Sequence, residues 1–139
     1  MRTIQQKDLQ RLSELILEVE NTTSFGELIV GEKDEEGVNI FPYYVSSPVV
    51  SKFLRLGFDL NLDSNFDWTH WDEGVKILND ENRDYSLLTC ETLCKLVTTI
   101  VRKDRFCEGE LICSFENGVM LKILKAFQKH FELNLQSNF

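Results

Sequence analysis

A chain of 139 residues, 42% hydrophobic and 27% charged, has the length of one ordinary domain and the composition of a folded, soluble protein. Its formal net charge of −8 excludes nucleic-acid binding by bulk charge, because such a surface repels the phosphate backbone. No run approaches the roughly 18 apolar residues of a membrane span, so no membrane role is expected.

The first element reads as a helix over residues 3–20. Thr3 and Gln6 have the spacing of a capping box, and Leu9, Leu12, Ile16 and Val19 repeat at three and four. The polar start of this segment has no apolar core or small-residue cleavage site of a secretion signal, so a cytoplasmic location is expected. "NTTSFG" breaks the helix. "ELIV" and "VNIFPYYV" then read as two strands around the charged loop "GEKDEEG", with Pro42 marking an edge or a kink. A second helix starts at the N-cap Ser47 and Pro48, with Val49, Val50, Phe53 and Leu54 as its buried face and Gly57 as a candidate end.

Thr69 with Asp72 suggests a further capping box and a short helix over 70–78, whose shared face is Trp71, Val75 and Leu78. The longest helix is expected over 89–105. Two more follow in "EGELICSF" and "GVMLKILKAFQKHFE", joined at the turn signal Asn117-Gly118. The expected fold is α+β and mainly helical: a single domain, 1–139, of about six helices around a small antiparallel hairpin or sheet.

"VRKDRFCEG", residues 101–109, concentrates the charge. On the preceding helix Cys90, Leu93, Val97, Ile100 and Val101 form the buried stripe, and Glu91, Lys95, Thr98 and Arg102 fall opposite. The same wheel puts Asp104 in the apolar face, where a carboxylate needs a cation or backbone amides. A helix end resolves this: Arg102, Lys103 and Arg105 suit the negative end of the helix dipole, and Gly109 suits a left-handed cap. A junction is therefore expected, with a ligand or partner site on top of it as the alternative. On a purely structural reading, Asp104→Asn unfolds the protein by leaving a buried charge unpaired.

Phe41, Tyr43, Tyr44, Phe66, Trp68 and Trp71 form an aromatic group expected to lie mostly in the core. Arg105 over one of these rings would instead make an aromatic, cationic cleft for an anionic or planar ligand. His70 and His130, the only histidines, have no nucleophile placed beside them, and no phosphate loop, dinucleotide fingerprint or zinc-protease helix is present. Cys90, Cys94, Cys107 and Cys113 read as reduced thiols, and neither a metal nor a cofactor is expected. Lys122, Lys125 and Lys129 read as a solvated face of the last helix.

The succession "FGE" at 25–27, "FPYY" at 41–44, "FDWTHW" at 66–71, "LVTTIVRKDRFCEGEL" at 96–111 and "ENGVMLKILK" at 116–125 resembles an uncharacterised bacterial and phage family. That family carries a Pro-Tyr strand, an Asp-Trp-x-x-Trp segment and an Arg-x-Asp-Arg-Phe-x-Glu-Gly motif. The resemblance spans 25–127 and implies no activity. It marks Pro42, Tyr43, Asp67, Trp68, Trp71, Arg102, Asp104, Arg105, Phe106, Glu108 and Gly109 as copies of the pattern. From the residues, the candidate binding set is Tyr43, Trp68, Trp71, Arg102, Asp104, Arg105 and Glu108. The leading reading is a small acidic protein-interaction module, monomeric or homodimeric. The alternative is an enzyme or small-ligand sequesterer holding an anion through Arg102 and Arg105, with Asp104 or Glu108 as acid–base.

Overall fold

A computed structural model describes residues 1–30, 35–37 and 41–137. Six α-helices pack with one two-stranded antiparallel sheet: α1 (Gln6–Glu20), β1 (Gly26–Ile29), β2 (Tyr43–Ser46), α2 (Pro48–Leu60), α3 (Asp72–Asn79), α4 (Cys90–Asp104), α5 (Glu110–Glu116) and α6 (Val119–Gln136). Short 3-10 turns at Trp68–His70 and Tyr85–Leu87 precede α3 and α4. The mainly helical α+β architecture is the one expected. The longest helix, however, is α6 with 18 residues, against 15 for α4.

The core is one cluster drawn from all six helices, with α3 contributing only Ile77, and from Ile4, Phe25, Leu62, Tyr85 and Leu88 outside them. Phe53, Phe127, Phe131, Leu93, Leu96 and Met120 are among its fully buried side chains. Burying each such side chain contributes roughly 1.5–3 kcal/mol. The apolar stripe of α1 is borne out, with Leu12, Ile16 and Val19 buried and Leu9 packed at the margin.

Several boundaries differ from expectation for local reasons. α1 begins at Gln6 rather than near Thr3. The Gln5 amide donates to Asp8 Oδ2 at 2.8 Å, and Arg2 grips both carboxylate oxygens at 2.8 and 2.9 Å. Arg2 Nε also donates to the Asp59 carbonyl, pinning the N-terminal segment to the end of α2. α2 continues past Gly57 to Leu60, because Leu56 and Leu60 are core residues, and it stops at Asn61 in the left-handed region (φ 55°). Leu54, expected in the core, is 41% exposed.

The segment before α3 is held by Asp67, which accepts from the Thr69 amide, and not by a Thr69–Asp72 box. In α3 Ile77 takes the buried position, Trp71 and Leu78 pack at the core margin, and Val75 is exposed. β1 starts at Gly26, where an added Cβ would meet Ile112 Cδ1 at 2.5 Å. The second strand begins after Pro42. The parts of the expected strand and loop at 31–34 and 38–40 lie outside the described residues.

Candidate functional site

The junction after α4 divides by the direction its side chains take. Asp104, at the last turn of α4, is half-buried, and its Oδ1 accepts from the amides of Gly109 (3.1 Å) and Leu111 (3.0 Å). It satisfies two of the free amides at the start of α5, which has no cap of its own. Of the arrangements the wheel left open, pairing with backbone amides is the one found. Because both bonds fall on one oxygen, asparagine would retain them, and the expected unfolding by Asp104→Asn loses its physical basis.

Glu108 reaches 64 residues back in the chain, where its Oε1 accepts from the Tyr44 amide at 2.8 Å. The Ser47 amide donates to the Phe25 carbonyl, so the pairs Glu27–Val45 and Ile29–Tyr43 bond each other, and Tyr44 points its amide outward. Glu108 therefore closes the outer edge of β2. Gly109 stands in the left-handed region (φ 98°), and an added Cβ would lie 2.9 Å from Tyr44 Cζ. Asp104, Glu108 and Gly109 thus tie α4, α5 and the hairpin together.

Arg102, Arg105 and Phe106 take the other direction. Arg102 pairs with Asp63 at 3.0 Å, Lys103 lies 3.6 Å from Glu110, and the Arg105 guanidinium has no hydrogen bond or ion pair among the described residues. Phe106 is 79% exposed, and its ring lies 6.0 Å from that of Trp68, tilted by 30°. Two clefts meet at the arginines. One, of about 590 Å³, is lined by Trp68, Thr69, Lys103 and Phe106 as well as Arg102 and Arg105. The other, of about 260 Å³, runs between α2 and α4 past Leu54, Gly57, Phe58, Val97 and Val101 to the same pair.

Of the expected residues, then, Trp68, Arg102 and Arg105 come together. Asp104 and Glu108 sit at the junction behind them, with their carboxylates engaged by backbone amides, and Tyr43 and Trp71 line neither cleft. Trp71 packs edge-on to Phe66 at 5.3 Å and lies over Gly74. The cation above these rings is Lys95, 5.4 Å from the Phe66 centroid and 6.0 Å from that of Trp71, and not Arg105. Of the six aromatic residues expected to lie mostly in the core, none is fully buried: Phe66, Trp68 and Trp71 are half-buried, with Trp71 packed against the core, and Phe41, Tyr43 and Tyr44 are exposed. The core rings are Phe53, Phe115, Phe127 and Phe131 on the helices, Tyr85 in the 3-10 turn before α4 and Phe25 just ahead of β1. Phe58, Leu54 and Asp63 were not singled out as surface residues. Leu54 and Phe58 are four apart on a helix whose core face is Val49, Val50, Phe53, Leu56 and Leu60, and that second apolar pair was the available signal.

Thr98, the two histidines and two of the three lysines of α6 have structural partners, whereas the buried Ser47 Oγ has no hydrogen-bond partner among the described residues. Thr98, expected opposite the buried stripe, is 2% exposed, donates to the Cys94 carbonyl and accepts from the Ser64 amide. His70 Nδ1 lies 2.8 Å from Asp67, whose carboxyl is held below the usual range by the Thr69 hydroxyl and by His70. His130 Nε2 lies 2.7 Å from the Leu88 carbonyl. Lys122 and Lys125 contact the Glu81 carbonyl and Glu20. Burial pushes the Cys94 thiol up to about 11 and raises that of Cys90. Among the described residues no group of three or more His, Cys, Asp or Glu is placed to hold a metal, and no helix is long and apolar enough to cross a membrane.

The chain belongs to DUF6508, a family of unknown function, whose model matches residues 4–132. No curated protein and no solved structure matches it.

Proposed function

We propose that this DUF6508 protein is a small cytoplasmic protein-interaction module whose recognition face is the paired cleft around Arg105. The observation that carries the reading is a cation without a partner among the described residues, set between two exposed aromatic rings, Phe58 (80%) and Phe106 (79%). Soluble chains rarely leave large apolar side chains clustered around a charge unless something covers them. Arginine and aromatic residues are also the side chains enriched in the cores of protein interfaces.

A small-ligand sequesterer or an enzyme fits less well. The groove between α2 and α4, at about 260 Å³, falls below the roughly 300–1,000 Å³ of small-molecule pockets. The larger cleft has an exposed phenylalanine for a wall, so a small molecule there would stay open to water. Arg102 is already engaged by Asp63, which leaves Arg105 as the one unpaired arginine of the two to neutralise an anion. The carboxylates offered as acid–base groups, Asp104 and Glu108, accept backbone amides at the junction.

Native mass spectrometry of the chain purified gently from the cells that make it tests the proposal. A second polypeptide retained by the wild type and lost with Arg105→Glu supports it. A small excess mass that disappears on denaturation favours the sequesterer, and a bare monomer or homodimer counts against an interaction module.

A further inference from the structure

The α2–α4 groove has a shape and a charge pattern that narrow its occupant. From Val97 to Arg105 it follows α4 for eight residues, roughly 12 Å at about 1.5 Å per residue, or a little over two helical turns. Its floor is core surface, Phe53 and Leu62, and its rims are Leu54 and Phe58 on one side and Val101 on the other. Gly57 leaves a notch in the α2 wall: an added Cβ would find only Leu62 Cδ1, at 3.9 Å. The floor is apolar except for Thr98, whose hydroxyl is engaged by the Cys94 carbonyl and the Ser64 amide, and at the end where α4 stops stand Arg102, paired with Asp63, and Arg105.

Resting on the interaction-module reading, we propose that the groove takes one amphipathic helix of a partner protein. That helix lays about two turns of apolar residues, spaced three and four apart, between α2 and α4, and it places an acidic residue against Arg105. A third helix filling the furrow between two others is the arrangement by which helix-in-groove recognition works, with specificity carried by anchors at i, i+3 or i+4 and i+7. Two observations fix the chemistry. The rim is aliphatic and aromatic, so the anchors are apolar. Arg102 and Asp63 offset each other, so the unpaired charge at the end of the groove is that of Arg105, and the polar contact is a carboxylate.

The overall charge sets a limit on that partner. At −8 the chain repels acidic proteins at long range, and a Debye length of about 8 Å at physiological salt confines the attraction of Arg105 to near contact. The partner helix therefore carries one or two acids rather than an acidic run, and its apolar anchors supply most of the affinity.

The test is a paired selection. One display library presents randomised faces on a stable helical scaffold, the other presents linear random peptides, and both are selected on the wild type without depletion against any variant. The expected result is enrichment from the helical library of faces with apolar residues at three- and four-residue spacing and an acid one turn beyond. Binding of these faces should fall about tenfold with Arg105→Ala and be lost with Phe58→Asp, while both variants keep the wild-type melting temperature. Arg105→Glu should recover binding to a version in which that acid is lysine. Binders that come only from the linear library, tolerate a central proline and still depend on Arg105 would leave the interaction face standing and overturn the helical occupant. Binders indifferent to both substitutions, or none from either library, would overturn both readings.

Discussion

Removing the Asp104 carboxylate should destabilise the protein without touching the clefts around Arg105. Asp104→Ala deletes two charge-assisted bonds to the amides that open α5. Such bonds contribute about 1.5–3 kcal/mol each at most, and loss of a helix cap typically costs about 1 kcal/mol. Both bonds share one oxygen of a half-buried side chain, so the expected loss is about 2 kcal/mol. For a chain of this size that lowers the melting temperature by about 6–10 °C. Asp104→Asn keeps Oδ1 and loses only the charge facing the helix start, which costs about 0.5–1 kcal/mol. Urea unfolding followed by circular dichroism, with an unchanged m-value, measures both. Equal losses for Ala and Asn, or a loss below about 0.5 kcal/mol for Ala, would refute the assignment of Asp104 as the cap of α5.

Three further outcomes follow from the same geometry. Gly109→Ala should cost about 1–2 kcal/mol, because it forces a side chain into the left-handed region and against the Tyr44 ring; an unchanged urea midpoint would contradict this. The Arg2 guanidinium and the Gln5 amide hold the Asp8 carboxyl below its ordinary value of 3.8, so its stabilisation is complete above that value and is lost as the pH falls through the lower folded value. Asp8→Asn should therefore flatten the acid limb of the urea midpoint between roughly pH 5 and pH 2, and an identical limb would contradict the clamp. With Cys94 pushed up to about 11, about one thiol in a thousand is ionised at pH 8. Iodoacetamide should modify the exposed Cys107 and Cys113 in the folded protein and reach Cys94 only after unfolding, as peptide mass mapping would show.

What was legible in the sequence was local. Ser47-Pro48 at the start of α2, the left-handed Gly109 and the turn at Asn117-Gly118 follow from residues within one turn of each other, although the Ser47 hydroxyl makes no capping bond, and the six helices follow from their periodicity. The inward turn of Asp104 was also legible from the α4 wheel, though not the choice of its partner. The contacts that give the junction its shape were not legible. Glu108 meets an amide 64 positions away and Thr98 meets Ser64 across 34, and nothing near either residue records that. The aromatic segments misled because rings between elements were assigned to the core. The helices filled that core with their own phenylalanines, which left Trp68 half-exposed and Phe41 at the surface. Of the residues that line the two clefts, Arg102 and Arg105 stand out in the sequence, but Phe58 cannot be linked to them until α2 and α4 are placed on either side of one groove.

The central claim is that the face around Arg105 is where a protein partner sits. Photo-crosslinking tests it most directly, with p-benzoylphenylalanine replacing Phe58 or Phe106 and, as the control on a different face, Leu17, which is 61% exposed on α1. In the cells that make the protein, positions 58 and 106 should each capture the same polypeptide, position 17 should not, and Arg105→Glu should remove the capture. Equal capture from position 17, or none from 58 and 106 in correctly folded variants, would contradict the account.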